Sequence, residues 1–238
     1  MAYKRVLLKL SGEALKENSD AILSAEALDN MAKMVKSIHD SGVQVCIVIG
    51  AGNIWRGKIA KDAGMDQYEA DYMGMMGTVI NAVALGARLK VLGVASLVTS
   101  AIGPVPEVNV PYSIDVADKA MNEGKVVFLS GGTGKPYFTT DTAATMRAIE
   151  LNVDAILMGK NGVEGVYDKD PRQYKDARFF PVISYQEMIK QNLQIMDQTA
   201  LELIKDKDIQ VRVFKMDADN FVKAAKGENI GTICKKGE

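Results

Sequence analysis

The chain contains one histidine and two cysteines, and its charges nearly cancel; each shortage removes a class of function. His39 follows the apolar helix positions Met31, Met34, Val35 and Ile38, so it reads as a helix-end surface residue rather than a catalytic base. No zinc cluster can be assembled around a lone imidazole. Cys46 and Cys234 sit in apolar, strand-like contexts without metal-ligand spacing, as expected of reduced core thiols in a cytoplasmic protein. A formal charge of −1 lacks the basic excess or stripe of a nucleic-acid scaffold. No apolar run approaches the length of a membrane span, so no membrane partner is expected. Residues 1–5 lead straight into an apolar strand and do not read as a signal peptide. No composition break, internal repeat or low-complexity tract divides the chain.

What is present is an α/β pattern. The 238 residues are 47% hydrophobic and 25% charged, a size that such folds reach undivided, so one domain over 1–238 is expected. Continuous apolar runs at 5–10, 43–49, 95–99, 126–129, 155–158, 210–214 and 231–234 read as buried strands. Ser24 caps a helix whose apolar face is Leu28, Met31, Val35 and Ile38. A long helix is expected over 66–92, with Met73, Met76, Ile80 and Leu85 on one side and the stripe Met73, Met75, Met76 as core packing. Further helices are expected over 113–122, from Thr140 or Asp141 as N-cap to 150, from Ser184 as a capping box, over 194–205 and over 219–226. Residues 16–20 and 102–111 read as loops. Alternation of apolar strands with helices predicts a three-layer α/β/α sandwich with a mainly parallel central sheet. Ligands of such sheets bind at the carboxyl ends of the strands, so the glycine turns at 10–13, 50–57 and 130–136 should converge on one rim.

Residues 126–142 show what that rim is for. A buried strand ends in Ser130-Gly131-Gly132, passes through Gly134 and Pro136, and restarts as a helix at Thr139-Thr140-Asp141. Glycines let the backbone approach a ligand, and free N–H groups at a helix start favour an anion. The run Gly131-Gly132-Thr133-Gly134-Lys135 is not a P-loop: Leu129 stands where the first glycine belongs, and Pro136 follows the lysine. Lys9 lies within an apolar strand, where an anion at the strand end or snorkelling to water would account for it; Ser11-Gly12 beside it favours a phosphate. Gly50-Ala51-Gly52-Asn53 follows a buried strand, and Arg56 adds a fork of donors able to bridge phosphates. Asp71 and Asp141 read either as helix caps or, respectively, as a partner for ligand hydroxyls and a magnesium ligand. The loop from Gly162 through Gly165 and Tyr167 to Asp170-Pro171 reads as a purine site or an ordinary turn.

In this order and spacing, five motifs closely resemble bacterial UMP kinases (uridylate kinases) of the amino-acid kinase superfamily, over essentially the whole chain. They are Leu7-Leu8-Lys9-Leu10-Ser11-Gly12-Glu13-Ala14-Leu15, Val48-Ile49-Gly50-Ala51-Gly52-Asn53-Ile54-Trp55-Arg56-Gly57, Ala70-Asp71-Tyr72-Met73-Gly74-Met75, Gly132 to Asp141, and Gly165-Val166-Tyr167 with Asp170-Pro171. The resemblance implies magnesium-dependent transfer of the ATP γ-phosphate to UMP, giving UDP and ADP, in pyrimidine nucleotide (CTP) biosynthesis. It implies Lys9, Arg56 and Asp141 as catalytic residues, with Asp141 organising Lys9 and Mg2+. Lys9, Leu10, Ser11, Gly12, Gly52, Arg56, Asn161, Tyr167 and Asp170 would bind ATP. Ala51, Asp71, Thr133, Gly134, Lys135, Pro136, Tyr137, Phe138, Thr139 and Thr140 would bind UMP. A homohexamer, inhibition by UTP and activation by GTP are also implied, with the 16–20 loop and the surroundings of Arg88 as places for effector control. The chain departs from the family at Ala51, often a third glycine, and at Met158-Gly159-Lys160-Asn161, where Lys160 stands in place of a lysine-then-threonine form.

Phosphoryl transfer needs positioning and charge neutralisation rather than a covalent catalyst, which fits a chain with no histidine, cysteine or serine triad. Two other functions remain as rivals. A carbamate or carboxylate kinase of the same fold would call for a cationic clamp where Asp71 stands. A non-catalytic nucleotide sensor would have no use for Lys9, Arg56 and Asp141 together.

Overall fold

The most buried strands occupy the middle of the sheet and the most exposed its edges. In the computed structural model, which describes residues 3–16 and 20–237, β1 (Arg5–Leu10) lies between and parallel to β2 (Gln44–Ile49) and β6 (Ala155–Lys160). Beyond β2 come β5 (Val126–Ser130), β3 (Ser96–Ser100) and β4 (Val110–Pro111); beyond β6 comes β10 (Gln210–Lys215). All of these run parallel. β11 (Thr232–Lys235) turns back antiparallel on β10, and β9 (Val182–Ser184) completes the nine-stranded sheet beside it. β7 (Val166–Tyr167) and β8 (Phe179–Phe180) form a separate antiparallel ribbon.

Both faces are covered, which is why the strands are apolar on both sides. Val6, Leu8, Val45, Ile47 and Phe128 pack under α1 (Ala25–Asp40), α3 (Gln67–Val91) and α8 (Ala218–Ala225). Leu7, Cys46, Val127, Ile156 and Val211 pack under α4 (Ile114–Asn122), α5 (Thr140–Glu150), α6 (Tyr185–Lys190) and α7 (Gln198–Ile204). Side chains alternate along a strand, so Lys9 shares the face of Leu7, the one α5 covers. Cys46 and Cys234 are free and buried, and burial pushes both thiols up to about 12.

Several boundaries differ from the sequence expectation. The helix expected over 194–205 begins only at Gln198, because Asp197 caps it and accepts the Ala200 N–H at 2.8 Å. The N-cap of α5 is Thr139, not Thr140 or Asp141: its hydroxyl accepts from the N–H groups of Asp141 and Thr142. The long helix turns a different side inward. Met75 and Leu85 are buried, but Met76 and Ile80 are 51% and 48% exposed, so the methionine stripe is only partly core. Small and polar residues (Gly77, Thr78, Asn81, Gly86) take the inner face instead; at Gly86 an added Cβ would lie 3.3 Å from the Phe128 ring. The 3-10 turn Gly12–Leu15 and the short α2 (Gly57–Asp62) carry no apolar periodicity and were not foreseen. Of the 16–20 loop, residues 17–19 lie outside the described residues.

Candidate active site

Since β5, β2, β1 and β6 are neighbours and parallel, the segments leaving their carboxyl ends stand side by side on one rim. The turns at 10–13 and 50–57 touch directly. A methyl group on Gly12 would lie 2.3 Å from the Gly50 carbonyl oxygen and 2.4 Å from Asn53 Oδ1, so only glycine fits there. The third turn closes the other flank. Gly131, Gly132 and Gly134 take φ of +78°, +59° and +79°; the Gly131 N–H donates to Thr78 Oγ1 at 2.8 Å. The buried guanidinium of Arg147 stacks on Tyr112, pairs with Glu150 at 2.7 Å and donates to the Gly132 carbonyl at 3.3 Å.

At the centre, Lys9 Nζ lies 2.6 Å from Asp141 Oδ1, with both side chains about one-fifth exposed. β1 presents the ammonium and the first turn of α5 presents the carboxylate. Thr139, the cap of that helix, donates to Asp197, as does Thr142 at 3.0 Å. Burial alone would raise the Asp197 carboxyl, but hydrogen bonds from Thr139, from the Ala200 N–H and from Thr142 hold it below the usual carboxylate range. Lys160 reaches the same centre from the end of β6, donating to the Ile195 carbonyl at 2.8 Å. Its burial, and next the positive charge of Lys9, push its pKa below the ordinary lysine value, with Asp141 opposing them.

Two cavities flank this centre. The first, about 320 Å³, is lined by Ala51, Gly52, Trp55, Asp71, Thr78, Thr133, Lys135, Phe138, Thr139 and Thr140 among others. Asp71 forms its acidic wall, accepting from Gln67 Nε2 and from the Tyr137 N–H, each at 2.6 Å. Of the residues expected on the UMP side, Gly134, Pro136 and Tyr137 are not in the lining; the Tyr137 side chain is 69% exposed and it is the backbone, at φ +70°, that meets Asp71. Gly52, expected on the ATP side, faces this first cavity. The second cavity, about 440 Å³, gathers Lys160, Asn161, Gly165, Tyr167 and Asp170, and β8 supports its aromatic through an edge-on contact of Phe179 with Tyr167 at 5.3 Å. Leu10 and Ser11 line neither cavity; they border a smaller recess of about 190 Å³ with Met31, Met216 and Phe221. Arg56 is exposed and engaged by Glu13 at 2.6 Å and the Gly52 carbonyl at 3.2 Å.

Thr78, Arg147, Asp197 and Asn81 went unread in the sequence as parts of this rim, and Glu13, within the expected 10–13 turn, went unread as the partner of Arg56. Asn81 had a signal: an amide on the otherwise small, apolar inner face of a long helix. Asp197 had one too, as an acidic residue directly before a helical run. Among the described residues no three or more His, Cys, Asp or Glu side chains gather as a metal cage. Asp141 alone at the centre suits a magnesium ion held by one carboxylate, water and substrate phosphates.

Cations and glycine-turn amides converge between two cavities on a parallel-sheet rim, and that arrangement defines a phosphotransferase. The amino acid kinase family model matches residues 4–215. The uridylate kinase of Mycoplasma capricolum subsp. capricolum is 48% identical over 220 residues, 92% of each chain. That of Aster yellows witches'-broom phytoplasma is 44% identical over 239 residues, 99% of each. The crystal structure of UMP kinase from Bacillus anthracis superposes with a TM-score of 0.95 at 38% identity, covering 100% of this chain and 98% of that one. UMP kinase from Ureaplasma parvum gives 0.92 at 40% identity, covering 99% and 100%. The chain belongs to the amino acid kinase family, as one of its uridylate kinases.

Proposed function

We infer that the chain transfers the γ-phosphoryl group of ATP to the phosphate of UMP, releasing UDP and ADP. The observation that carries this reading is the Lys9–Asp141 pair: neither residue lines a cavity itself, but their neighbours line both. Thr140, beside Asp141, lines one cavity; Lys160, which feels both charges, lines the other. UMP occupies the first, with Asp71 accepting from its ribose hydroxyls and the 133–140 loop around the nucleotide. ATP occupies the second, with its adenosine against Asn161, Tyr167 and Asp170. A UMP phosphate oxygen attacks the γ-phosphorus in line as the bond to the β-phosphate oxygen breaks, and ADP leaves with that electron pair. Lys9 and Lys160 face the charge spread over the transferring group; Arg56 exchanges Glu13 for phosphate oxygens. Asp141 holds Lys9 in place and would hold magnesium, which supplies further charge neutralisation when bound with ATP.

A carboxylate or carbamate acceptor would meet Asp71 with like charge, which favours the nucleotide reading. The exposed apolar residues Met65, Tyr68, Met76 and Ile80 on and before α3 give a homohexamer a face to bury. UTP inhibition, GTP activation, a cytoplasmic location and a place in CTP synthesis complete the proposal. Arg88, near which effector control is placed, is engaged by Asp29. Among the described residues no helix is long and apolar enough to cross a membrane. The reading is tested by the kinetics of Asp71→Ala: a KM for UMP raised far more than that for ATP supports it, and equal effects on both overturn it.

A further inference from the structure

The two turns that touch at Gly12 and Gly50 are clamped by a pair of buried amides that the transfer chemistry above does not use. Asn81, fully buried on the inner face of α3, donates through Nδ2 to the Gly50 carbonyl at 2.8 Å and to Asn53 Oδ1 at 2.8 Å. Asn53, 8% exposed, donates back to Asn81 Oδ1 at 3.0 Å and to the Ile22 carbonyl at 2.7 Å. All four amide N–H bonds are spent, and both Oδ1 atoms accept, so neither side chain has a second arrangement that satisfies it in place. The clamp joins three segments: the turn after β2 through Gly50 and Asn53, the approach to α1 through Ile22, and α3, whose preceding turns carry Asp71 and Thr78. It also bounds the space for the β1 turn, since a Cβ on Gly12 would meet Asn53 Oδ1 and Asn81 Nδ2.

We propose that Asn81, acting through its reciprocal amide pair with Asn53, is a positioning residue that fixes the Gly12 and Gly50 turns at the spacing phosphoryl transfer requires. It touches no substrate. Its effect passes through the Gly50 carbonyl, which orients the 50–53 backbone against residues 11–13 and so against Lys9. A buried pair serving stability alone would lower the melting temperature and leave the folded enzyme's turnover intact. A positioning pair lowers kcat, because displacing reacting groups by about 1 Å costs on the order of 100-fold. UMP affinity, set at Asp71 and the 133–140 loop as well as at Ala51 and Gly52 of this turn, should fall less than kcat.

The proposal rests on reading these turns as the phosphate site, so Lys9→Ala is run beside Asn81→Ala, Asn53→Ala and the double variant, each assayed well below its melting temperature. Expected is a fall in kcat on the order of 10–100-fold for each amide variant, with KM for UMP moved less, and a double variant no worse than the worse single one. Unchanged kcat in folded Asn81→Ala overturns the proposal, as does a double variant whose losses multiply. If Asn81→Ala yields no folded protein, Asn53→Ser decides: it leaves the Asn81–Gly50 bond and removes the partner, so kcat should fall less steeply, and unchanged kcat refutes the clamp. If Lys9→Ala also retains full kcat, the phosphate-site reading itself has failed; if only the amide variants do, the positioning role alone has failed.

Discussion

Lys9 and Asp141 meet although they lie on elements more than a hundred residues apart, and what each does follows from its surroundings. Lys9 is carried by a buried strand, so its ammonium emerges only at the rim, where it has one carboxylate and room for phosphate. Lys9→Ala is expected to lower kcat by about 100-fold or more with little change in UMP binding, since it removes a contact made chiefly with the transferring group. Steady-state kinetics with a separate UMP titration check it. Lys160 gives a pH signature. Its folded pKa lies below the ordinary lysine value, so it loses its proton earlier than a solvated lysine as pH rises. Activity should therefore fall on an alkaline limb below pH 10.5, and Lys160→Arg, always charged, should remove that limb. Identical limbs in both proteins would detach Lys160 from the chemistry. Lys9 and Asp71 stand out in the sequence as charges among apolar or small neighbours, and Asp141 as an acidic residue at a helix start. Asn81 left only a weak signal and Arg147 none, because what each holds in place is a backbone carbonyl, at Gly50 and Gly132, brought within reach only by the fold.

The elements place these groups by parity, caps and small residues. Strand alternation puts Lys9 under α5, and the Thr139 cap fixes where that helix begins. Losing the cap hydroxyl in Thr139→Val should cost about 1 kcal/mol of stability. It also removes one of the two threonine hydroxyls that bind Asp197, which links α5 to α7. Asp197 has a depressed carboxyl in the folded state, so its contribution is present above the unfolded carboxylate value and lost as pH falls through the lower, folded one. Asp197→Asn should thus flatten the acid side of the stability curve below about pH 4 and leave its neutral slope alone; chemical denaturation across pH reads both. The longer strands were legible because their apolar runs are continuous; β4, β7, β8 and β9, too short to form such runs, were not, and β4 falls within the expected 102–111 loop. The inner face of α3 was misread because glycines, threonine and asparagine, rather than methionines, make the close contacts there. Residues 194–197, just before α7, look helical in composition, and Asp197 overrides that by capping one turn later.

Across the molecule, sheet order decides which turns can cooperate. β1 stands at the centre, with β2 and β5 on the side of the first cavity and β6 on the side of the second, so on the proposed reading acceptor and donor nucleotides would approach Lys9 from opposite flanks. That order could not be read from the chain, although alternating strands and helices announced the parallel sheet and its single functional rim. The most direct test is a coupled ATP-consumption assay with magnesium, run across UMP, CMP, dUMP, AMP, carbamate, aspartate and N-acetylglutamate. Turnover confined to UMP is the predicted result. Turnover on carbamate or a carboxylate, or on none of these acceptors, would contradict the assignment of the first cavity and with it the account of how this rim works.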